Sequence, residues 1–190
     1  MANFEFRYGS MNSGKSMALM QLAYNYEENN MKVIVIKPKI DTKAGNELES
    51  RIGLRRKVDI LLDKDHSLLD KKYSNVECIL VDEVQFLTKK QVEELWKISK
   101  LDNIHVICYG LKTNFKSELF EGSKRLFELC DKYQELPTIC SCGRKARFNA
   151  RKVNSKFILD GDTVLIDGSS KNVEYIPLCG KCYLEKVFKI

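Results

Sequence analysis

The sequence is short of the features that mark several large protein classes. Three prolines and ten glycines are spread along 190 residues, which argues against low-complexity disorder. No run of about 18 apolar residues occurs, so no transmembrane helix is expected. The N-terminal Met-Ala-Asn-Phe-Glu-Phe-Arg-Tyr lacks a basic stretch followed by an apolar one. No signal peptide is therefore expected, and the cytoplasm is the expected location. There is no obvious basic stripe interleaved with aromatics, and no internal repeat.

What is present has the balance of a globular chain, 44% hydrophobic and 31% charged. Lysine and arginine number 32 against 26 acidic residues, an excess of +6 that suits anionic ligands without choosing among them. Seven cysteines, an odd number, do not read as a disulfide set in a chain with no export signal.

Apolar runs alternate with helical patterns over the first two-thirds. Strands are expected at 4–8, 32–37, 59–62, 77–82 and 104–109, and helices at 16–28, 67–71, 88–100 and 122–133. Thr88 and Gln91 form a candidate capping box. Residues 39–57 show little periodicity and read as a long loop of functional kind. This alternation predicts an α/β fold with a parallel sheet flanked by helices. After Pro137 the helical periodicity stops and short strands are expected at 146–151, 157–159 and 163–166. The expected division is an α/β nucleotide-binding domain at 1–137 and a small lobe at 138–190.

Gly9, Ser10, Met11, Asn12, Ser13, Gly14, Lys15 and Ser16 fit G-x-x-x-x-G-K-[ST] at every fixed position. They follow a strand and open a helix, as a phosphate-binding P-loop must. Glycines let backbone N–H groups curl around phosphate oxygens, and the helix N-terminus adds partial positive charge. Lys15 can reach the β- and γ-phosphates, while the Ser16 hydroxyl can ligate Mg²⁺. A second motif, Ile-Leu-Val-Asp82-Glu83, is an apolar strand ending in an acid that can hold the Mg²⁺ water shell. Glu83 can accept a proton from an attacking hydroxyl, or it can be a capping or surface acid. Together the motifs predict a nucleoside-triphosphate site and leave the acceptor open.

Cys140 and Cys142 form one close pair, and Cys179 and Cys182 another. Four thiolates suit a closed, tetrahedral structural Zn²⁺; two disulfides or four free thiols are the alternatives. Cys78, Cys108 and Cys130 lie in apolar patterns and read as small buried hydrophobes.

The P-loop with methionine at its third position, the Asp82-Glu83-Val-Gln85-Phe86 segment, Tyr109-Gly-Leu-Lys-Thr-Asn-Phe115 and the four cysteines belong together. In this combination the chain closely resembles the cytosolic, zinc-containing (type II) thymidine kinase family over essentially its whole length. The resemblance implies a RecA-like P-loop fold and transfer of the γ-phosphoryl of ATP to the 5′-hydroxyl of thymidine, with deoxyuridine as a secondary substrate. It implies Glu83 as general base, and the P-loop, Asp82 and Gln85 as the ATP and phosphate contacts. Ser16, Asp82 and Asp41 would associate with Mg²⁺. Asp41 and Arg51 are phosphate contacts on this reading, or charges on a solvated loop. Met11, Phe86, Phe115, Phe120 and Tyr175 would surround the nucleoside; core packing is the alternative for Phe115 and Phe120. A segment including Thr163, Val164, Leu165, Ile166, Asp167 and Gly168 would cover the base and bind it through backbone groups. A homotetramer and feedback inhibition by dTTP are also implied, with no membrane or nucleic-acid partner. Two other classes fit the motifs alone: a P-loop motor with a nucleic-acid-binding zinc ribbon, and a nucleotide switch without turnover.

Overall fold

The computed structural model describes residues 1–40, 45–161 and 172–190. Strand β1 (Phe4–Tyr8) leads through the P-loop into helix α1 (Lys15–Glu28). Strand β2 (Val33–Pro38) follows, then a hairpin of β3 (Glu47–Glu49) and β4 (Arg55–Lys57). Next come β5 (Ile60–Leu62) and β6 (Cys78–Val81). Helix α2 (Lys89–Leu101), β7 (His105–Gly110), α3 (Glu121–Leu129) and β8 (Lys132–Glu135) complete the larger part. The sheet runs β5-β2-β6-β7-β1-β8, and all its pairings are parallel. β7 is inserted between the P-loop strand β1 and the acidic strand β6, which is the RecA-like arrangement of a P-loop fold.

Side-chain alternation along the strands divides the core between two faces. Val33, Val35, Leu80, Ile107 and Tyr109 pack on Leu19, Met20 and Ala23 of α1. On the opposite face Ile36, Ile79, Val81, Val106 and Phe6 pack on Val92, Leu95, Ile98 and Leu126 of α2 and α3. Being covered on both faces explains the continuous β-branched runs. Cys78 and Cys108 are fully buried in these layers and Cys130 packs against them. Burial pushes the Cys78 thiol up to about 12, as fits a small core residue rather than a nucleophile.

Three expected elements differ. The stretch 39–57 is not wholly loop: Ser50 to Leu54 turns the chain between β3 and β4, with Leu54 N–H donating to the Ser50 hydroxyl at 3.0 Å. The expected helix at 67–71 is replaced by turns, because side chains of α2 take over its backbone groups. The buried Glu94 carboxylate accepts from Leu68 N–H at 2.8 Å, and the Gln91 amide donates to Asp63 and His66 carbonyls at 2.7 and 3.1 Å. The helix expected to run to 133 ends at Leu129, and Asp131 N–H then bonds to the Phe4 carbonyl. From there β8 pairs with β1, so a sheet edge wins over helical continuation. The Thr88–Gln91 capping box forms as expected.

The remainder is built from small antiparallel pieces. β9 (Thr138–Ile139) pairs with β10 (Lys145–Ala146). β11 (Phe148–Val153) lies between β12 (Lys156–Ile158) and β13 (Val173–Leu178), and the short helix α4 (Gly180–Tyr183) follows. A separate apolar cluster of Ala146, Ala150, Leu178 and Tyr183 gathers around Cys140, Cys179 and Cys182. The expected strand at 163–166 lies outside the described residues.

Candidate active site

The site lies at the carboxyl ends of the sheet strands, where parallel sheets leave a crevice. Two glycines shape the P-loop. A Cβ on Gly9 would sit 2.4 Å from Ser13 Oγ and 2.5 Å from the Leu136 carbonyl, and Gly14 has φ +75° at the start of α1. Lys15 is buried, its Nζ donating to the Ser10 carbonyl at 2.9 Å and to Ser13 Oγ at 3.3 Å. Burial pushes its ammonium down, against the pull of Glu83 and Asp82.

Asp82 follows β6 directly and is 2% exposed. Ser16 Oγ donates to its Oδ2 at 2.7 Å, while its buried Oδ1 has no hydrogen-bond partner among the described residues. Burial and the adjacent Glu83 charge push Asp82 up to about 7, partly opposed by the Ser16 hydrogen bond. A buried carboxylate oxygen without a partner beside a P-loop hydroxyl is the donor set a hard cation needs. Ser16 and Asp82 therefore fit Mg²⁺.

Glu83 has φ +49°, in the left-handed region that a non-glycine residue enters only under constraint. The turn Val84–Phe86 that follows brings the Gln85 side chain back onto it. The Gln85 amide donates to Glu83 Oε2, and its oxygen accepts from Leu111 N–H at 2.9 Å. Gln85 thus ties the carboxylate to the end of β7.

A cavity of about 440 Å³ joins these groups to an apolar wall, a size in the ordinary range for small-molecule sites. Met11, Asn12, Ser13, Gly14, Lys15, Ser16, Asp82, Glu83 and Gln85 line it on the phosphate side. Phe86, Phe115, Phe120 and Tyr175 line it farther along, with Phe86 and Phe120 edge to face at 5.9 Å. Gly9 and Ser10 lie instead beside an adjoining small pocket. Arg51 reaches the main cavity from the hairpin turn. Asp41 and 163–168 lie outside the described residues.

Several lining residues were not singled out from the sequence. Asn149 of β11 accepts from Met11 N–H at 2.8 Å and donates to the Thr113 carbonyl at 3.3 Å, fastening the P-loop to the smaller sheet. Lys37, at the end of β2, is 1% exposed and donates to the Glu47 carbonyl at 3.1 Å. No local motif marks either residue; only the packing of distant strands brings them to the cavity.

The four sulfurs of Cys140, Cys142, Cys179 and Cys182 all lie within 4.8 Å of one another, and all seven cysteines are free. Cys142 and Cys179 sulfurs are 3.5 Å apart, too far for a disulfide. Zn–S bonds of about 2.3 Å put tetrahedral sulfurs about 3.8 Å apart, so the cluster fits a four-thiolate zinc. Gly143 N–H donates to the Cys140 carbonyl at 2.8 Å, closing the tight turn that brings the first pair together.

The family profile "Thymidine kinase" matches residues 2–183. The chain belongs to the thymidine kinase family. A thymidine kinase of Photorhabdus laumondii is 42% identical, the match covering 98% of this chain and 94% of that one. One from Francisella tularensis is 38% identical over the whole of both chains, and one from Lactococcus lactis is 40% identical over 97% and 98%. Among solved structures, the Pif1 helicase from Candida albicans aligns with 71% of this chain and 36% of its own, at TM-score 0.42 and 12% identity. A likeness that slight bears on neither activity nor substrate.

Proposed function

We propose that the protein transfers the γ-phosphoryl group of ATP to the 5′-hydroxyl of thymidine. The observation that carries the proposal is the continuity of the cavity, one wall of which is shared by the P-loop and the carboxylates and another by three phenylalanines and Tyr175. The triphosphate lies along the P-loop, where Lys15 and the backbone N–H groups take its negative charge. Ser16 and Asp82 would hold Mg²⁺, which supplies further neutralisation of the phosphate oxygens. Gln85 lies at the phosphate end, where its amide holds Glu83. Glu83 accepts the proton of the 5′-hydroxyl, and Phe86, Phe115, Phe120 and Tyr175 enclose the base. Since the phosphoryl group moves between oxygens without a covalent enzyme intermediate, the residues act by position and charge.

Zinc bound by the four cysteines holds the smaller part, which we divide from the nucleotide-binding part near residue 137. Asp41, 163–168, deoxyuridine as a secondary substrate, a homotetramer, dTTP inhibition and a cytoplasmic location are carried by family membership alone.

The test is a coupled assay with Mg-ATP and a panel of nucleosides. ADP release with thymidine and deoxyuridine is expected; its absence, with release on single-stranded DNA instead, refutes the proposal. Glu83→Gln should lower turnover about 100-fold or more while ATP affinity stays within twofold. Unchanged turnover would remove Glu83 as the base.

A further inference from the structure

Arg151 is the largest fully buried side chain among the described residues, 1% exposed, and it does not line the cavity. A guanidinium keeps its charge at any ordinary pH, so burying one requires groups that replace water around it. Its central carbon lies over the Phe115 ring, 3.6 Å from the ring centre, where the positive charge meets the aromatic electron cloud. Nη2 donates to the Asp160 carbonyl at 2.7 Å. Phe115 is held through its backbone as well, because the Tyr183 hydroxyl donates to its carbonyl. The ring that walls the cavity is thus fixed through its π face by Arg151 and through its backbone by α4.

The strand geometry extends the connection. Arg151 and Asn149 are two apart on β11 and share a face of that sheet. Asn149 holds the P-loop at Met11 N–H, while Arg151 holds the aromatic wall. On β13, Tyr175, another cavity residue, is paired in register with Arg151.

We propose that Arg151 is a positioning residue for nucleoside binding, acting through its stack on Phe115 and its hold on the Asp160 backbone. The proposal rests on the nucleoside pocket described above. Arg151 touches neither substrate; it sets the position of the wall against which the base lies. Lysine cannot substitute, having no planar face to lay on the ring and no forked donor set.

The experiment is steady-state kinetics of Arg151→Lys and Arg151→Gln, each with thymidine varied at saturating ATP and the reverse. The expected result is a rise of about tenfold in the KM for thymidine, with kcat and the KM for ATP within about twofold. Phe115→Leu, alone and combined with Arg151→Lys, gives the second readout. If Arg151 acts through the ring, the combined change raises the thymidine KM no further than Phe115→Leu alone. An unchanged thymidine KM, equal rises for both substrates, or additive effects overturn the proposal. If neither Arg151 variant folds, the residue is a core residue and the proposal is overturned as well. Failure of the wild-type chain to turn over thymidine would refute the pocket reading instead, and is separated from these outcomes by the parent assay.

Discussion

Replacing Asp82 with asparagine tests the electrostatics of the phosphate site while keeping its shape, since the amide oxygen can still accept from Ser16. In the wild-type chain, burial and Glu83 push Asp82 from 3.8 up to about 7. Between those values the folded chain keeps a proton that the unfolded chain has released. The stability associated with protonated Asp82 is complete below about pH 4 and is lost as the pH rises through about 7. Roughly three pKa units at ~1.4 kcal/mol each set a ceiling of about 4 kcal/mol. Asp82 also supports the buried Lys15 ammonium, and asparagine removes that support. We therefore expect Asp82→Asn to stabilise the metal-free protein by ~2 kcal/mol at pH 8, with about half the gain at pH 5.5. For a chain of this size that is a rise of about 4–8 °C in Tm at pH 8. The assay is thermal unfolding in EDTA at the two pH values, repeated with Mg²⁺. Added Mg²⁺ should raise the wild-type Tm at pH 8 and leave the variant unmoved. A variant less stable than wild type at pH 8, or a gain that does not shrink at pH 5.5, refutes the reasoning.

Gln85→Leu should reduce turnover about 10–100-fold with both KM values within twofold, since the Glu83 carboxylate loses its tether but not its place in the chain. Steady-state kinetics decide this, and a KM-dominated loss would reject the tether. The same change leaves Leu111 N–H without its acceptor, so denaturant unfolding should show a loss of about 1–3 kcal/mol. Metal analysis after dialysis should find about one zinc per chain, and Cys142→Ser or chelation should speed hydrogen exchange in 138–190. A metal-free, active protein with unchanged exchange there would exclude the zinc role.

Much of the larger sheet could be read from periodicity, because its strands are covered on both faces and its helices on one. The continuous run Val33–Ile36 and the capping box at Thr88 are local statements, and the chain makes them locally. Elements misread from the sequence are those whose backbone partners lie far away. The turns at 67–71 depend on Glu94, the edge strand β8 depends on β1, and the β3–β4 hairpin has only three residues per strand to announce it. β13 was not anticipated, and its six-residue pairing with β11 is entirely non-local.

The phosphate loop, the acidic strand end, the two close cysteine pairs and, through their combination, the family are legible in the order of residues alone. The loop, the strand end and each cysteine pair are made by residues a few positions apart, so spacing is enough, while the fold brings the two pairs, 37 positions apart between Cys142 and Cys179, into one cluster. Their surroundings come from the fold. Asn149 on the P-loop backbone, Gln85 on Glu83 and Arg151 on Phe115 are contacts made when strands and turns from different parts of the chain meet. A buried polar group needs a partner wherever the fold supplies one, and no local pattern records which residue that will be.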